Sequence, residues 1–387
     1  MQALKELPYV KRREGDAEDT IRVYVLRLSE AGVIKNVPRR RARARRLQEL
    51  KKGAEEMRVD RRTFLTGLIG VGGFATWTAR SAAAEPPPET GTIRVSSSIA
   101  ICTAPQLVSE DLLRAEGFTV VQHAGQATVG TLEEVAAGQV DIGISFIGPL
   151  VVQIDSGQAI TVLAGVHPGC FELFGTDRVR SLKDLKGKKI AVISRGSSPH
   201  IFLSSMLAHV GLDPRKDVEW VTKPRPESVE LLREGKVDAY MGFPPEPQEL
   251  RARKIGHSVV NSAVDRPWSQ YFCCMVAANR DFVRKNPVAT KRALRAFLKA
   301  TDICALEPER MAKSLVAKKF TPREDYALAT LRELPYARWR EYSPEDSVRF
   351  YSLRLHEAGM IKSSPQKIIS QGTDWRFLNE LKRELKS

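Results

Sequence analysis

The chain is poor in the features from which chemistry is usually read. Its 387 residues include only five cysteines, Cys102, Cys170, Cys273, Cys274 and Cys304, with no CxxC pair and no metal-ligand spacing. No metal is therefore expected. An odd number of thiols cannot all pair within one chain, and adjacent Cys273 and Cys274, in an apolar strand-like run, should point to opposite faces. Buried free thiols are the expectation, although an oxidising compartment would permit one disulfide whose partners the sequence does not name. GxSxG, HExxH, P-loop and paired-carboxylate patterns are all missing, so no catalytic residue and no cofactor are expected. The apolar run ending at Trp77 is shorter than the roughly 20 residues that a bilayer span needs.

What is present first divides the chain by compartment. In VDRRTFLTGLIGVGGFATWTARSAAAE, Val59 to Glu85, the basic pair Arg61 and Arg62 precedes Phe64, Leu65 and an apolar, glycine-rich run. Arg80 and the tripeptide Ala82, Ala83, Ala84 follow. A basic start, a short apolar core and a small-residue site make a secretory signal, and the paired arginines resemble the twin-arginine export motif. Cleavage is expected after Ala84, leaving residues 85–387 in the periplasm after passage through the twin-arginine translocase.

The net charge of +15 is unevenly placed. Residues 1–84 hold 19 basic and 10 acidic side chains, so +9 of the total, leaving 42 against 36, or +6, beyond Ala84. A surplus of six suits an anionic ligand without requiring one, and no nucleic-acid partner is expected. The run Pro38 to Arg46, PRRRARARR, reads as a decayed segment and not as a nucleic-acid arm.

An internal comparison explains the front of the chain. Leu4 to Pro38 aligns without a gap on Leu331 to Pro365, with 20 of 35 positions identical. Two copies this far apart do not make a solenoid. The front copy, within residues 1–58, reads as the last segment of a sister protein joined upstream of the signal, and no function is expected of it. The rear copy carries a helix pattern. Ser343, Pro344, Glu345 and Asp346 form the start, Val348, Tyr351, Leu355 and Ala358 form one apolar stripe, and Gly359 supplies the stop.

After Glu85 and three prolines, strands and amphipathic helices alternate: TIRVSSS, APQLVSEDLLRAEG, FTVVQHA, TLEEVAAG, VDIGISFI, then GPLVVQIDSG and ITVLAGVHPG. This pattern predicts a parallel α/β sheet with helices on both faces. The scheme restarts at Ser181, and PESVELLREGKVDAYMGFPPEPQEL repeats the plan of TLEEVAAGQVDIGISFIGPL. Two similar halves in one chain predict a two-lobed clamp. The expected divisions are lobe 1 over 85–175, lobe 2 over 176–264, and a return to lobe 1 with C-terminal helices over 265–387.

The residues SLKDLKGKKIAV, the GSS opening the next helix, VGLDPRKDVEWV, LLREGKVDAYMGFPPEPQEL and NRDFVRKNPVATKRALRAFLKA carry a resemblance. This chain resembles the periplasmic solute-binding proteins of ABC importers, in the nitrate, sulfonate and taurine branch, which also includes thiamine-pyrimidine precursor binders. The resemblance implies a type II two-lobed fold, each lobe a mixed, mostly parallel sheet. It also implies a monomer that traps a small molecule and delivers it to a separate permease with its ATPase. The 58 leading residues depart from that pattern, because such a chain should begin at its signal. Two alternatives share the fold. One is an enzyme like the pyrimidine synthases of thiamine biosynthesis, of whose cysteine-rich iron motif Cys273-Cys274 is only a fragment. The other is a ligand sensor for a membrane kinase.

Ligands of parallel α/β sheets sit past the carboxyl ends of strands. That rule selects Ser97, Ser98 and Thr103; Ser145, Phe146 and Gly148; His167; Arg195, Ser197, Ser198 and His200; and Phe243 with Glu246. Tyr271, beside Trp268 and Phe272, marks the return crossover and offers a ring for stacking. Arg195 beside a helix start is the strongest element, since a fixed cation next to free helix-end amides suits a carboxylate, sulfonate or phosphate.

Overall fold

A computed structural model describes residues 85–97, 100–124 and 132–385. Arg61, Arg62, the expected cleavage site after Ala84, the front copy of the duplicated segment and Ser98 lie outside the described residues.

Ten strands are present among the described residues: β1 (Thr92–Ser96), β2 (Val120–Ala124), β3 (Ile142–Phe146), β4 (Ile160–Pro168), β5 (Glu172–Gly175), β6 (Lys189–Val192), β7 (Glu219–Thr222), β8 (Ala239–Gly242), β9 (His257–Asn261) and β10 (Phe272–Asn279). They form two five-stranded sheets, ordered β2-β1-β3-β10-β4 and β7-β6-β8-β5-β9. The expected two-lobed α/β architecture is thus observed, with the same plan in each half. In the first sheet β1 pairs parallel with β2 and β3, whereas β10 runs antiparallel to β3 and β4. In the second, β6 pairs parallel with β7 and β8, whereas β5 runs antiparallel to β8 and β9. Four of the five strands in each sheet thus share one direction and one, β10 or β5, runs against them, so each sheet is mixed and mostly parallel, as expected. The cause is the crossing itself, because the strand that has just passed between lobes enters the new sheet against its neighbours.

The chain first crosses between Pro168 and Glu172, a few residues ahead of the expected 175/176 division, because β5 pairs within the second sheet. It returns between Asn261 and Phe272. The repeat seen in the sequence has a structural counterpart in two aspartates. Asp141 accepts the backbone N–H of Arg94 at 2.7 Å and pairs with that arginine's side chain. Asp238, at the matching place in the second half, accepts the backbone N–H of Lys189 at 2.9 Å and pairs with Arg178. Each carboxylate ties the start of one central strand to the next, using charge-assisted bonds that are stronger than neutral ones.

Helices follow the sequence pattern with one interruption. APQLVSEDLLRAEG forms two helices, Ala104–Leu107 and Glu110–Ala115. The Ser109 hydroxyl donates to the carbonyl of Gln106 at 2.9 Å, the kind of local bond that competes with helix continuation. In the rear copy of the duplication, Ser343 accepts from the Asp346 N–H at 3.1 Å, helix Pro344–Glu357 follows, and Gly359 ends it at φ +67°. Its stripe of Val348, Tyr351, Leu355 and Ala358 is buried. This helix packs against both Ile147–Asp155 of lobe 1 and Ser198–His209 of lobe 2, so the duplicated segment covers the seam between them. Among the described residues no helix is long and apolar enough to cross a membrane.

Candidate functional site

The lobes meet on phenylalanines. Phe146 ends β3 and Phe243 follows β8 at the equivalent place of the repeat, and their ring centroids lie 5.3 Å apart. Phe171, in the first crossing, sits 4.8 Å from Phe146 and stacks on Phe202 at 4.4 Å. All four rings are buried. Gly148 adjoins this seam, where an added Cβ would come within 2.8 Å of Ile201 Cγ2 in the facing lobe. The seam is an apolar contact between bodies that are also joined by two crossings and bridged by helix Pro344–Glu357.

Beyond the carboxyl ends of β6 and β7 lies an open cavity of about 560 Å³, lined by Ile193, Ser194, Arg195, Thr222, Lys223 and Pro224. Arg195 and Lys223 are both exposed, and Lys223 Nζ pairs with Glu227 at 2.7 Å, an exposed pair that an incoming anion would have to compete with. Two cations and two hydroxyls on one rim favour an anion, since opposite charge and hydroxyl donors both stabilise it. The 12-residue helix Ser198–His209 starts beside them. Neither serine at its start caps it through a side chain, and the Ser197 hydroxyl instead donates to the carbonyl of Ser194 at 2.6 Å. Helix-start amides left without a side-chain acceptor add to the positive potential there. His200, in the first turn, accepts the Gly196 N–H on Nδ1 at 3.1 Å, which requires that nitrogen to be unprotonated. Burial, and then the nearby charge of Arg195, push its pKa down to about 4.

The predicted residues fall into three groups. Arg195, Ser197, Ser198 and His200 gather at this cavity's helix, while Phe146, Gly148 and Phe243 gather at the seam. Ser97 and Ser145 are half-buried at the ends of β1 and β3. The others are engaged internally. The buried Thr103 hydroxyl donates to the carbonyl of Ala100 at 2.8 Å. Glu246 is buried, accepts from Tyr240 Oη at 2.7 Å and lies 2.9 Å from Arg225 Nε, whose guanidinium also covers the Phe243 ring. Burial pushes the Glu246 pKa up, with Arg225 and Tyr240 offsetting part of that rise. Tyr271 stacks on Phe350 with centroids 3.9 Å apart. Thr222 and Lys223 were not among the expected residues, although the rule applied to the end of EWVT points to them, and Ser194, just past β6, was also missed.

His167 is fully buried and does not reach an open rim. Nδ1 faces the carbonyl of Gly169 at 3.0 Å and Nε2 faces that of Cys102 at 3.1 Å. Burial opposes charge on this ring, but Cys274 and Cys102 beside it more than offset that, so its pKa stands well above the usual value. Around it the fold gathers thiols that the sequence scatters. The ligand atoms of Cys102, His167 and Cys274 lie within 4.8 Å of one another, as do those of Cys170, Cys273 and Cys274. Cys273 and Cys274 thus both approach Cys170, against the expectation of opposite faces, because the β4–β10 register shifts on either side of Cys274. Thiolate and imidazole are soft-metal ligands. However, both nitrogens of His167 face carbonyl oxygens, so binding through the ring would require breaking one of those contacts.

Comparison with known proteins follows the same lines. A model of the NMT1-like family matches residues 87–318. The bicarbonate-binding protein CmpA of Synechococcus elongatus is 30% identical over 112 residues, 28% of this chain and 24% of that protein. The 4-amino-5-hydroxymethyl-2-methylpyrimidine phosphate synthase THI12 of Saccharomyces cerevisiae is 25% identical over 205 residues, 49% of this chain and 58% of the enzyme. The chain therefore spans between about a quarter and three fifths of the length of these relatives. The periplasmic nitrate-binding protein NrtA from Synechocystis PCC 6803 superimposes with a TM-score of 0.65 at 16% identity, covering 78% of this chain and 90% of that one. That likeness is one of fold.

Proposed function

The chain belongs to the NMT1-like family, and from that premise we propose that it is the solute-binding component of an ABC-type importer. It captures a small anion between its lobes outside the cytoplasm and presents it to a membrane permease served by a separate ATPase. Export through the twin-arginine translocase, with cleavage after Ala84, completes the proposal. The observation that carries it is the basic cavity at Arg195 and Lys223, beside the start of helix Ser198–His209. Bicarbonate and nitrate, the ligands in the names of CmpA and NrtA, are of the charge such a rim would hold. With the lobes in contact along the seam, a ligand held from both sides would favour this closed arrangement, so that binding shifts a hinge equilibrium toward it.

The test is a thermal-shift screen against nitrate, bicarbonate, sulfonates, phosphate and carboxylates. A ligand at about 100 times its Kd stabilises by about 2.7 kcal/mol. Arg195→Ala combined with Lys223→Ala should abolish that shift and leave the melting temperature of the ligand-free protein unchanged. If no anion raises it, or if the double variant responds like the parent, the proposal fails.

A second reading, a synthase acting on pyrimidine precursors, draws on the sulfur cluster around His167. Against it, all five thiols are buried, and no substrate reaches them in this conformation. A visible absorption band near that of a Schiff base in the purified protein would revive it.

A further inference from the structure

Two cysteines meet where the lobes are joined. Cys170 lies in the first crossing, between Pro168 at the end of β4 and Glu172 at the start of β5. Cys273 is the second residue of β10, the strand that receives the chain on its return. Their sulfurs are 2.9 Å apart although the residues are 103 positions apart in sequence. The backbone holds both in place. Ser262, in the return crossing, accepts the N–H of Cys170 at 3.0 Å and that of Phe171 at 2.9 Å, and donates to the Phe171 carbonyl at 2.7 Å. Phe272, next to Cys273, donates its N–H to Ser347 Oγ at 2.9 Å.

We propose that Cys170 and Cys273 are the site of an internal disulfide that fastens the two inter-lobe crossings together at their lobe 1 ends. The loop it closes contains every strand of the second sheet, so one covalent bond would tie off the whole of lobe 2 at its base. It would also fix the two strand ends about which the lobes turn, stiffening the hinge without touching the anion cavity. Either thiol, once ionised in the folding chain, can open the exchange.

The oxidant is an external disulfide, such as glutathione disulfide. With Cys273 first, its thiolate attacks one sulfur of that disulfide, and one glutathione thiolate leaves. The Cys170 thiol gives its proton to that thiolate, and its sulfur then displaces the second glutathione as a thiolate that takes a proton from water. One internal S–S bond forms, one external S–S bond breaks, and two thiols are released. Both cysteines are at most 4% exposed in the folded chain, so the exchange belongs to folding, before the cluster closes.

The test uses the full chain, unfolded under reducing conditions and refolded in a glutathione/glutathione-disulfide buffer. Free thiols are then alkylated and the protein is digested without reduction for peptide mass mapping. The expected result is a cross-linked pair containing Cys170 and Cys273, with the count of alkylated thiols reduced from five. The oxidised chain should melt several degrees above its reduced form, and dithiothreitol should leave the melting temperature of Cys273→Ser unchanged. Five alkylated thiols would overturn the proposal, as would any map without the 170–273 link, including one in which a bound soft metal holds these sulfurs. The mapping needs no variant, so a variant that fails to fold leaves the test intact.

Discussion

Gly148→Ala tests whether the phenylalanine seam is a working contact between two moving lobes. The added Cβ would stand 2.8 Å from Ile201 Cγ2, on a buried side chain that is 3% exposed. Carbon pairs rest at about 3.5–4.0 Å, so relief requires the facing helices to separate by roughly 0.7–1.2 Å. Overpacking of this kind costs about 1–3 kcal/mol. Within its own helix, Ile147–Asp155, the same change favours folding by up to about 1 kcal/mol, because alanine outranks glycine as a helix former. The penalty therefore falls on the closed arrangement and not on lobe 1 itself. If the closed form is the one that binds, a penalty of that size weakens binding about 5- to 150-fold. Titration calorimetry with the anion giving the largest thermal shift measures the loss, and small-angle scattering measures the opening. Adding Ile201→Ala removes the opposing atom, so the double variant should recover affinity relative to Gly148→Ala alone, an interaction that a double-mutant cycle isolates. An unchanged affinity together with an unchanged scattering profile would refute the reasoning.

Asp238→Asn should destabilise the protein at pH 7 by about 1.5–3 kcal/mol, the worth of hydrogen bonds to a charged group. Burial opposes the charge of Asp238, but the Lys189 N–H and Arg178 hold its pKa below the usual carboxylate value. That stability is present above about pH 3.9 and is lost as pH falls through the folded value, so urea midpoints of variant and parent should converge in acid. His200 acts in the same direction over a higher pH window. Its ring stays neutral in the fold down to about pH 4, whereas in the unfolded chain it takes a proton near pH 6.5, so folding weakens as pH drops across that window. His200→Gln should flatten the slope of stability between pH 7 and 5, measured by the same urea titrations.

Much of the fold was legible because strand and helix periods differ and because the chain repeats itself. Asp141 and Asp238 stand in matching VD motifs, and the structure gives them matching bonds to strand backbones. Phe146 and Phe243, matched by the same alignment, touch across the seam. Ser343, the stripe through Leu355, and Gly359 were readable because helix starts, faces and stops each have local chemistry. The antiparallel placing of β5 and β10 was not readable. Pairing is settled by which sheet a strand joins after a crossing, and no local pattern in FELFG or FCCMVAAN records that choice.

The candidate site was legible only as far as the strand-end rule reaches. That rule finds positions near a cleft but not where side chains turn, so it included Thr103, Glu246 and His167, whose polar atoms are taken up inside the protein. It included Arg195 for a sound reason, since an exposed cation after a strand and before a helix has little else to neutralise it. Lys223 stands on the same rim after the neighbouring strand, but its Nζ already pairs with Glu227 at 2.7 Å, so Arg195 is the cation left to face a ligand there. The thiols mark the opposite limit. Their spacing excludes any local motif, yet crossings at 168–172 and 261–272 bring three separate stretches of chain to one point. A cluster assembled by topology leaves no trace in spacing, and it forms where the chain passes between the two halves.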